Sequence, residues 1–133
     1  MKLDEMFRRI SEAYDLPSEI ERDEEGLYHI VMDDEIVAFR DFADETKVVS
    51  WTEIAPLPAD GRFALYRSML EKSFLGGEND GAFFALQGET IVLMRVDSLV
   101  DAEAKDLMER AYSLAMCAKN WTKEFAEVNN EAE

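Results

Sequence analysis

The last third of the chain carries an unbroken helical seam. Ala104, Leu107, Ala111, Leu114, Ala118, Trp121, Phe125 and Val128 recur at steps of three and four, with Met108, Tyr112 and Ala115 alongside. That spacing places them on one side of an α-helix, predicted from near Ala102 to about Val128 with Asp97 or Asp101 as its cap. Small residues at 104, 111 and 118 let such a helix lie close against a sheet or another helix.

Upstream the hydrophobic period alternates between helical and extended. Leu3, Phe7, Ile10 and Tyr14, joined by Met6 and Ala13, predict an amphipathic helix that ends at or before Pro17. The charged connector from Glu19 to Gly26 predicts an exposed loop. From Leu27 the runs become short and rich in Val, Ile, Phe and Tyr, which predicts strands at Leu27–Met32, Ile36–Phe42 and Lys47–Ile54. Asp33-Asp34-Glu35 and Ala43-Asp44-Glu45-Thr46 are the hairpin loops between them, and neither holds the Asn-Gly or Asp-Gly pair that would set the register. In the third run Val49, Trp51 and Glu53 face one way, and Val48, Ser50, Thr52 and Ile54 the other.

Pro56-Leu57-Pro58 is expected to stop the sheet, with Asp60 capping a second helix, Arg62–Phe74, that Gly76-Gly77 terminates. Phe63, Tyr66, Leu70 and Phe74 form one stripe of that helix, and Leu65 with Met69 a neighbouring one, a wider apolar arc than one sheet requires. Ala82–Gln87 and Glu89–Asp97 follow as strands around Gly88. The fold class predicted is α+β in one domain, 1–133, of order α-β-β-β-α-β-β-α, a twisted antiparallel sheet flanked by helices with a frayed polar tail at 129–133.

Charge narrows the partners. Against 14 Lys and Arg stand 30 Asp and Glu, a net charge of -16, which repels phosphate backbones and anionic lipid and favours basic partners. Hydrophobic residues make up 47% of the chain, too many for a disordered acidic tail. No apolar stretch has the form of a signal peptide or a membrane span, so the expected location is the cytoplasm, where the Asn120-Trp121-Thr122 sequon is a chance match.

Chemistry is poorly provided for. His29 is the single histidine and sits mid-strand, where nothing nearby in sequence supplies an orienting partner for a general base. Cys117, the single cysteine, lies among Ala115, Met116 and Ala118 and reads as a small apolar residue. The acidic runs Asp23-Glu24-Glu25-Gly26, Asp33-Asp34-Glu35 and Asp41/Asp44/Glu45 miss the spacing of a calcium loop. The glycines at 76, 77 and 81 miss that of a phosphate loop, and Arg8-Arg9 and Arg62/Arg67 are too few for a nucleic-acid track. Solvated loops and turns account for all of them, and no catalytic residue, metal site or cofactor is expected. A metal-assisted hydrolase using the acidic loops is the enzymatic alternative.

An excess of large apolar residues remains. Phe7, Tyr28, Phe39, Phe42, Trp51, Phe63, Phe83, Phe84, Trp121 and Phe125 all need cover, and one sheet with three helices leaves a sheet face partly open. Together with the opening amphipathic helix, the stretch EEGLYHIVMDDEIVAF, Pro56-Leu57-Pro58 leading into RFALYRSMLEKSF, and GAFFALQGETIVLMRVDS before the long last helix, the chain resembles the type III secretion chaperones of the CesT/SycE-like, Tir chaperone class, from about Leu3 to Phe125. The resemblance implies a homodimer without nucleotide use that holds the N-terminal chaperone-binding segment of a secreted effector in extended form, with the secretion apparatus as a transient partner. It implies a dimer contact centred on the second helix, at Leu65, Tyr66, Met69 and Leu70 with Phe83 nearby, and effector grooves near the first helix and sheet, at Phe7, Ile10, Val31, Val37 and Phe39. The alternative on the same fold is a regulatory or interaction module resembling YbjN-type proteins.

Overall fold

The computed structural model describes residues 2–14, 20–73 and 81–131, with side chains as far as 124. Its elements follow the expected order: α1 (Leu3–Ala13), β1 (Tyr28–Met32), β2 (Glu35–Asp41), β3 (Lys47–Pro56), α2 (Arg62–Ser73), β4 (Phe83–Gln87), β5 (Thr90–Ser98) and α3 (Ala104–Glu131). The five strands form one sheet in the order β1-β2-β3-β5-β4, every neighbouring pair antiparallel, which makes β1 and β4 the edges. The helix ends expected at Pro17, Phe74 and Gly76-Gly77 lie outside the described residues, as do 132–133 of the tail.

Register assigns each residue a face, because alternate side chains of a strand point to opposite sides. His29, Ala38, Trp51, Met94 and Phe83 pair in succession across the whole sheet and therefore share one face. Tyr28, Phe39, Ser50 and Arg95 pair in the row beside them and belong to the other. The hydrophobic core draws only on this second face. Tyr28, Val37, Phe39, Val48, Ile54, Ile91 and Leu93 cluster there with Leu3, Met6, Phe7 and Ile10 of α1, Met69 of α2, and Leu107, Ala111, Leu114 and Ala118 of α3. All three helices thus cover one side of the sheet. The small residues of α3 bring it against β3, β2 and β5, with α1 packed beside it.

Several local expectations give way to better-satisfied backbone. The β1–β2 loop holds two residues, since Met32 pairs with Glu35, and both Asp33 (φ 48) and Asp34 (φ 71) lie in the left-handed region. That is a type I′ turn, whose twist matches the strands but favours Asn-Gly; aspartate tolerates it through its short polar side chain. The sheet also outlasts Ile54. Pro56, which lacks an N–H, pairs with Thr90 as the last residue of β3, and the Leu57 N–H donates to the Glu89 carbonyl at 2.7 Å.

Helix α2 opens on Gly61 (φ 71), not on Asp60, because the Gly61 carbonyl accepts the first helical bond, from the Leu65 N–H. Neither Asp97 nor Asp101 caps α3. Asp106 reaches back to accept from the Glu103 N–H at 2.9 Å, half of a capping box, while Asp97 binds Arg95 at 2.8 Å.

The connector, expected to be merely exposed, is tied down by Arg22. Its guanidinium donates to Asp4 of α1, to the Gly26 carbonyl and to Asp41 of β2, and lies 4.7 Å from the centre of the Tyr28 ring. The opposite face of Tyr28 is shared with Phe7, whose ring stacks on it at 4.0 Å and meets Phe39 edge-on at 5.1 Å. Ile20 is held as well, its N–H donating to the buried Ser11 hydroxyl at 3.1 Å. The Tyr28 hydroxyl donates to Asp4 in a short hydrogen bond. That bond, with Arg22 behind it, holds the Asp4 carboxyl below its ordinary value. Burial first, and then Asp4, pushes the Tyr28 hydroxyl up to about 12.

Two measurements check this account. Asp34→Gly removes the cost of a left-handed aspartate and is expected to stabilise the fold by about 1 kcal/mol, raising Tm by roughly 3–5 °C; an unchanged or lower Tm would rule out the strained turn. The second concerns pH. A tyrosine whose folded-state pKa is raised stabilises fully below its unfolded value of about 10 and loses that contribution as pH climbs through the folded value. Thermal melts between about pH 10 and 12 should therefore show a steeper loss in the wild type than in Tyr28→Phe, whereas parallel curves would mean that neither burial nor Asp4 raises the Tyr28 hydroxyl in the folded state. At the acid end Asp4 acts in the opposite sense: its contribution is present above the ordinary carboxylate value and is lost as pH falls through the lowered one.

Candidate functional site

The face of the sheet turned away from the helices is unusually apolar for an uncovered surface. On β3, Ser50 and Thr52 point into the core, 3% and 2% exposed, while the larger Val49 and Trp51 point outward and are only half-buried. Cross-strand partners extend this apolar ground: Trp51 opposes Met94 and Val49 opposes Val96. At the β1 edge, Val31 and Ile36 face each other and are 68% and 57% exposed. A sheet with one wet face ordinarily places its polar residues outward; from Val49 to Thr52 β3 does the reverse. No described helix covers this side.

Two depressions flank Trp51 on that face. A concavity of about 520 Å³ opens toward β1, with Ile36, Ala38 and Trp51 as its apolar floor and Asp23, Glu25, Asp34 and Glu53 among its walls. A smaller groove of about 210 Å³, lined by Trp51, Ala85, Val92 and Met94, opens toward β4. A second apolar surface lies on α2. Met69 faces the core, Leu65 and Tyr66 pack against it, and Phe63 and Leu70 project into solvent, 83% and 74% exposed.

The side chains expected to matter are divided by this arrangement. Phe7, Ile10, Val37 and Phe39 are at most 2% exposed and hold α1 on the sheet, so within one subunit they present no open groove; Val31 alone of that set stands on the surface. Of the set placed at a dimer contact, Leu70 is exposed, Leu65, Tyr66 and Phe83 are half-buried, and Met69 is 6% exposed. Trp51 and Phe63, among the large apolar residues that need cover, and Ile36 belong to neither set. The alternation along β3 already separated Trp51 from the other face; what it lacked was the side on which the helices pack.

His29 does have an orienting partner, contrary to expectation: the Asp23 carboxylate, 2.8 Å from its Nε2. Asp23 also accepts from the Leu27 and Glu25 N–H groups. These bonds, the one from Leu27 foremost, hold its carboxyl below the ordinary value. The pair is exposed, and with the Leu27 and Glu25 bonds it fixes the connector on β1. Among the described residues no group of His, Cys, Asp and Glu is arranged to hold a metal ion. Cys117 is half-buried against the core, as a small apolar residue would be. No described helix is long and apolar enough to cross a membrane.

This arrangement is shared with known proteins. The chain superimposes on a chain of the ExsC–ExsE complex with a TM-score of 0.73 at 14% identity, over 92% of this chain and 96% of that one. It matches a chain of the HopA1–SchA chaperone–effector complex with a TM-score of 0.70 at 11% identity, over 90% and 91%. A chain of the complex between the Yersinia pestis type III secretion chaperone SycH and a fragment of YscM2 gives 0.67 at 18%, over 89% and 98%. At such identities these likenesses establish the fold. Curated protein sequences return no match. The model of the Tir chaperone protein (CesT) family matches residues 6–120, most of the sequence from α1 through α3. The chain therefore belongs to the Tir chaperone protein (CesT) family, whose members are chaperones and not enzymes.

Proposed function

We propose that this protein is a type III secretion chaperone that binds the N-terminal chaperone-binding segment of a secreted effector in extended form and keeps it soluble and competent for export. The observation that carries this reading is the apolar sheet face that no described helix covers, bordered by the edge strand β1. An extended segment can pair with a free strand edge through its backbone, which gives affinity with loose demands on sequence, while pockets such as those beside Trp51 select side chains. Family membership supports the same reading, as do similar folds solved in complexes described as chaperone–effector or secretion-chaperone assemblies.

The working unit in this proposal is a homodimer joined through α2. Phe63 and Leu70 are large apolar side chains left in water on a helix whose other side already packs on β4 and the core. A twofold contact would cover both copies of this ridge at once. Leu65 and Tyr66 would border it, and Met69 would support it from beneath; Phe83 stands on the open sheet face, across β4 from this ridge. Effector contacts would begin at Val31 and Ile36, with Phe7, Ile10, Val37 and Phe39 shaping the surface from within the core.

The structure makes Leu70, not the buried Met69, the residue with which to test the dimer. Leu70→Asp places a charge on an exposed position and should leave the monomer fold within about 0.5 kcal/mol of its stability. Light scattering should show a wild-type mass near twice 15.2 kDa and a variant mass close to a single chain. An unchanged mass would remove α2 from the interface. For the chaperone reading, the chain should be co-expressed with N-terminal segments of proteins exported from its own cell. A soluble complex in which the segment lacks the amide dispersion of a folded domain is expected; failure of every segment to bind would reject the function.

A further inference from the structure

The concavity beside Trp51 carries an electrostatic asymmetry that names the kind of segment it fits. Its walls hold Asp23, Glu25, Asp34, Glu35 and Glu53, and these carboxylates are not equally compensated. Asp23 is bonded to His29 at 2.8 Å. Next to Asp34, Asp33 is ion-paired to Lys119 at 2.9 Å, and Asp34 and Glu35 lie in the field of the same ammonium. Glu25 and Glu53 form no ion pair among the described residues and are exposed. Arg40 also belongs to this face, at the register position opposite Val49, so its charge serves the far end and not the Trp51 concavity. Ile36, Ala38 and the half-buried Trp51 line the same concavity as Glu25 and Glu53.

We propose that this concavity is the subsite for a Lys or Arg side chain of an extended client segment, whose apolar neighbours occupy the Val31–Ile36 edge on one side and the groove beyond Trp51 on the other. The proposal rests on the reading of the chain as a binder of unfolded segments and adds the chemistry of what is bound. A cation on the indole face gains from the ring quadrupole, and one flanked by carboxylates gains from them also. In an extended segment, side chains on one side recur about every 7 Å, so a cation over Trp51 puts the next same-side residues over the adjoining apolar ground. Charge complementarity argues against the competing occupant: a second copy of this chain, at net charge -16, would bring like charge to the same spot.

The test uses the full chain labelled for NMR and three acetylated nine-residue peptides with Ser at every even position, whose same-side odd positions read Val-Val-Arg-Val-Val (the Arg–Val peptide), Ser-Ser-Arg-Ser-Ser (Arg–Ser) or Val-Val-Ser-Val-Val (Ser–Val). The Arg–Val peptide should bind most tightly and shift the Trp51 indole N–H while leaving that of Trp121, the other tryptophan, in place. Its affinity should fall about fivefold or more in Trp51→Ala and in the double variant Glu25→Gln/Glu53→Gln. The control Glu109→Gln/Glu124→Gln removes the same charge from exposed positions of α3 and should have little effect. Equal weakening by that control would reduce the attraction to the general acidic field and overturn the subsite, as would equal binding of the Ser–Val peptide or a stationary Trp51 indole. Both double variants alter only exposed side chains, so the outcome stands even if Trp51→Ala fails to fold. A client that binds wild type and Glu25→Gln/Glu53→Gln alike would defeat this subsite and leave the chaperone reading intact. Absence of any exported client, with the peptide results as expected, would defeat the chaperone reading alone.

Discussion

One antiparallel sheet takes all its helical cover on a single side, and most of the remaining structure follows from that. Helices α1, α2 and α3 meet the sheet only through the face that carries Tyr28, Phe39, Val48, Ile54 and Leu93. Apolar burial there, at about 25 cal/mol per Å², is the driving force available to a chain of this size. The reverse face contributes nothing to that core, yet Trp51, Met94, Val96, Val31 and Ile36 stand on it while Ser50 and Thr52 are spent inward. Stability alone gives no reason for that exchange. A surface selected for contact does, because water around such side chains is released when a partner arrives.

The first helix needs a separate anchor, since it is short and attached through a charged connector. Phe7 supplies one half by stacking on Tyr28 and meeting Phe39. Arg22 supplies the other half from the opposite side of the Tyr28 ring, joining Asp4 of α1 to Asp41 of β2. A single guanidinium can do this because its planar fork serves several acceptors while its face lies on a ring. In a chain with more than two acidic residues for every basic one, such a cation is surrounded by acceptors, and position decides which it takes. The edge strand β1 is thereby tied to α1 and to the connector.

Low identity to similar folds shows how widely sequence can vary on this architecture. At 11% to 18% identity the architecture persists over about nine-tenths of the chain, because a fold of this kind requires an apolar pattern and suitable turns more than particular residues. A catalytic site would demand named side chains in fixed geometry. Binding a segment in extended form demands an edge, a groove and a complementary charge, and each can be built from different residues on the same frame.

The sequence by itself determined the element order, the strand spans to within two residues at every end, and the two faces of β3, because periods of 2 and 3.6 are local properties written in successive residues. It also determined the acidic balance and the poverty of chemical groups. Its errors lie where a local rule had a nearby competitor: Gly61 took the helix start expected of Asp60, Glu103 with Asp106 took that of Asp97 or Asp101, and the first hairpin closed in two residues although it lacks Asn-Gly. Only the tertiary structure decided which face of each strand the helices would cover. That choice sent Phe7, Ile10, Val37 and Phe39 inside and left Trp51, Phe63 and Leu70 at the surface, through contacts between segments far apart in the chain that no local period encodes.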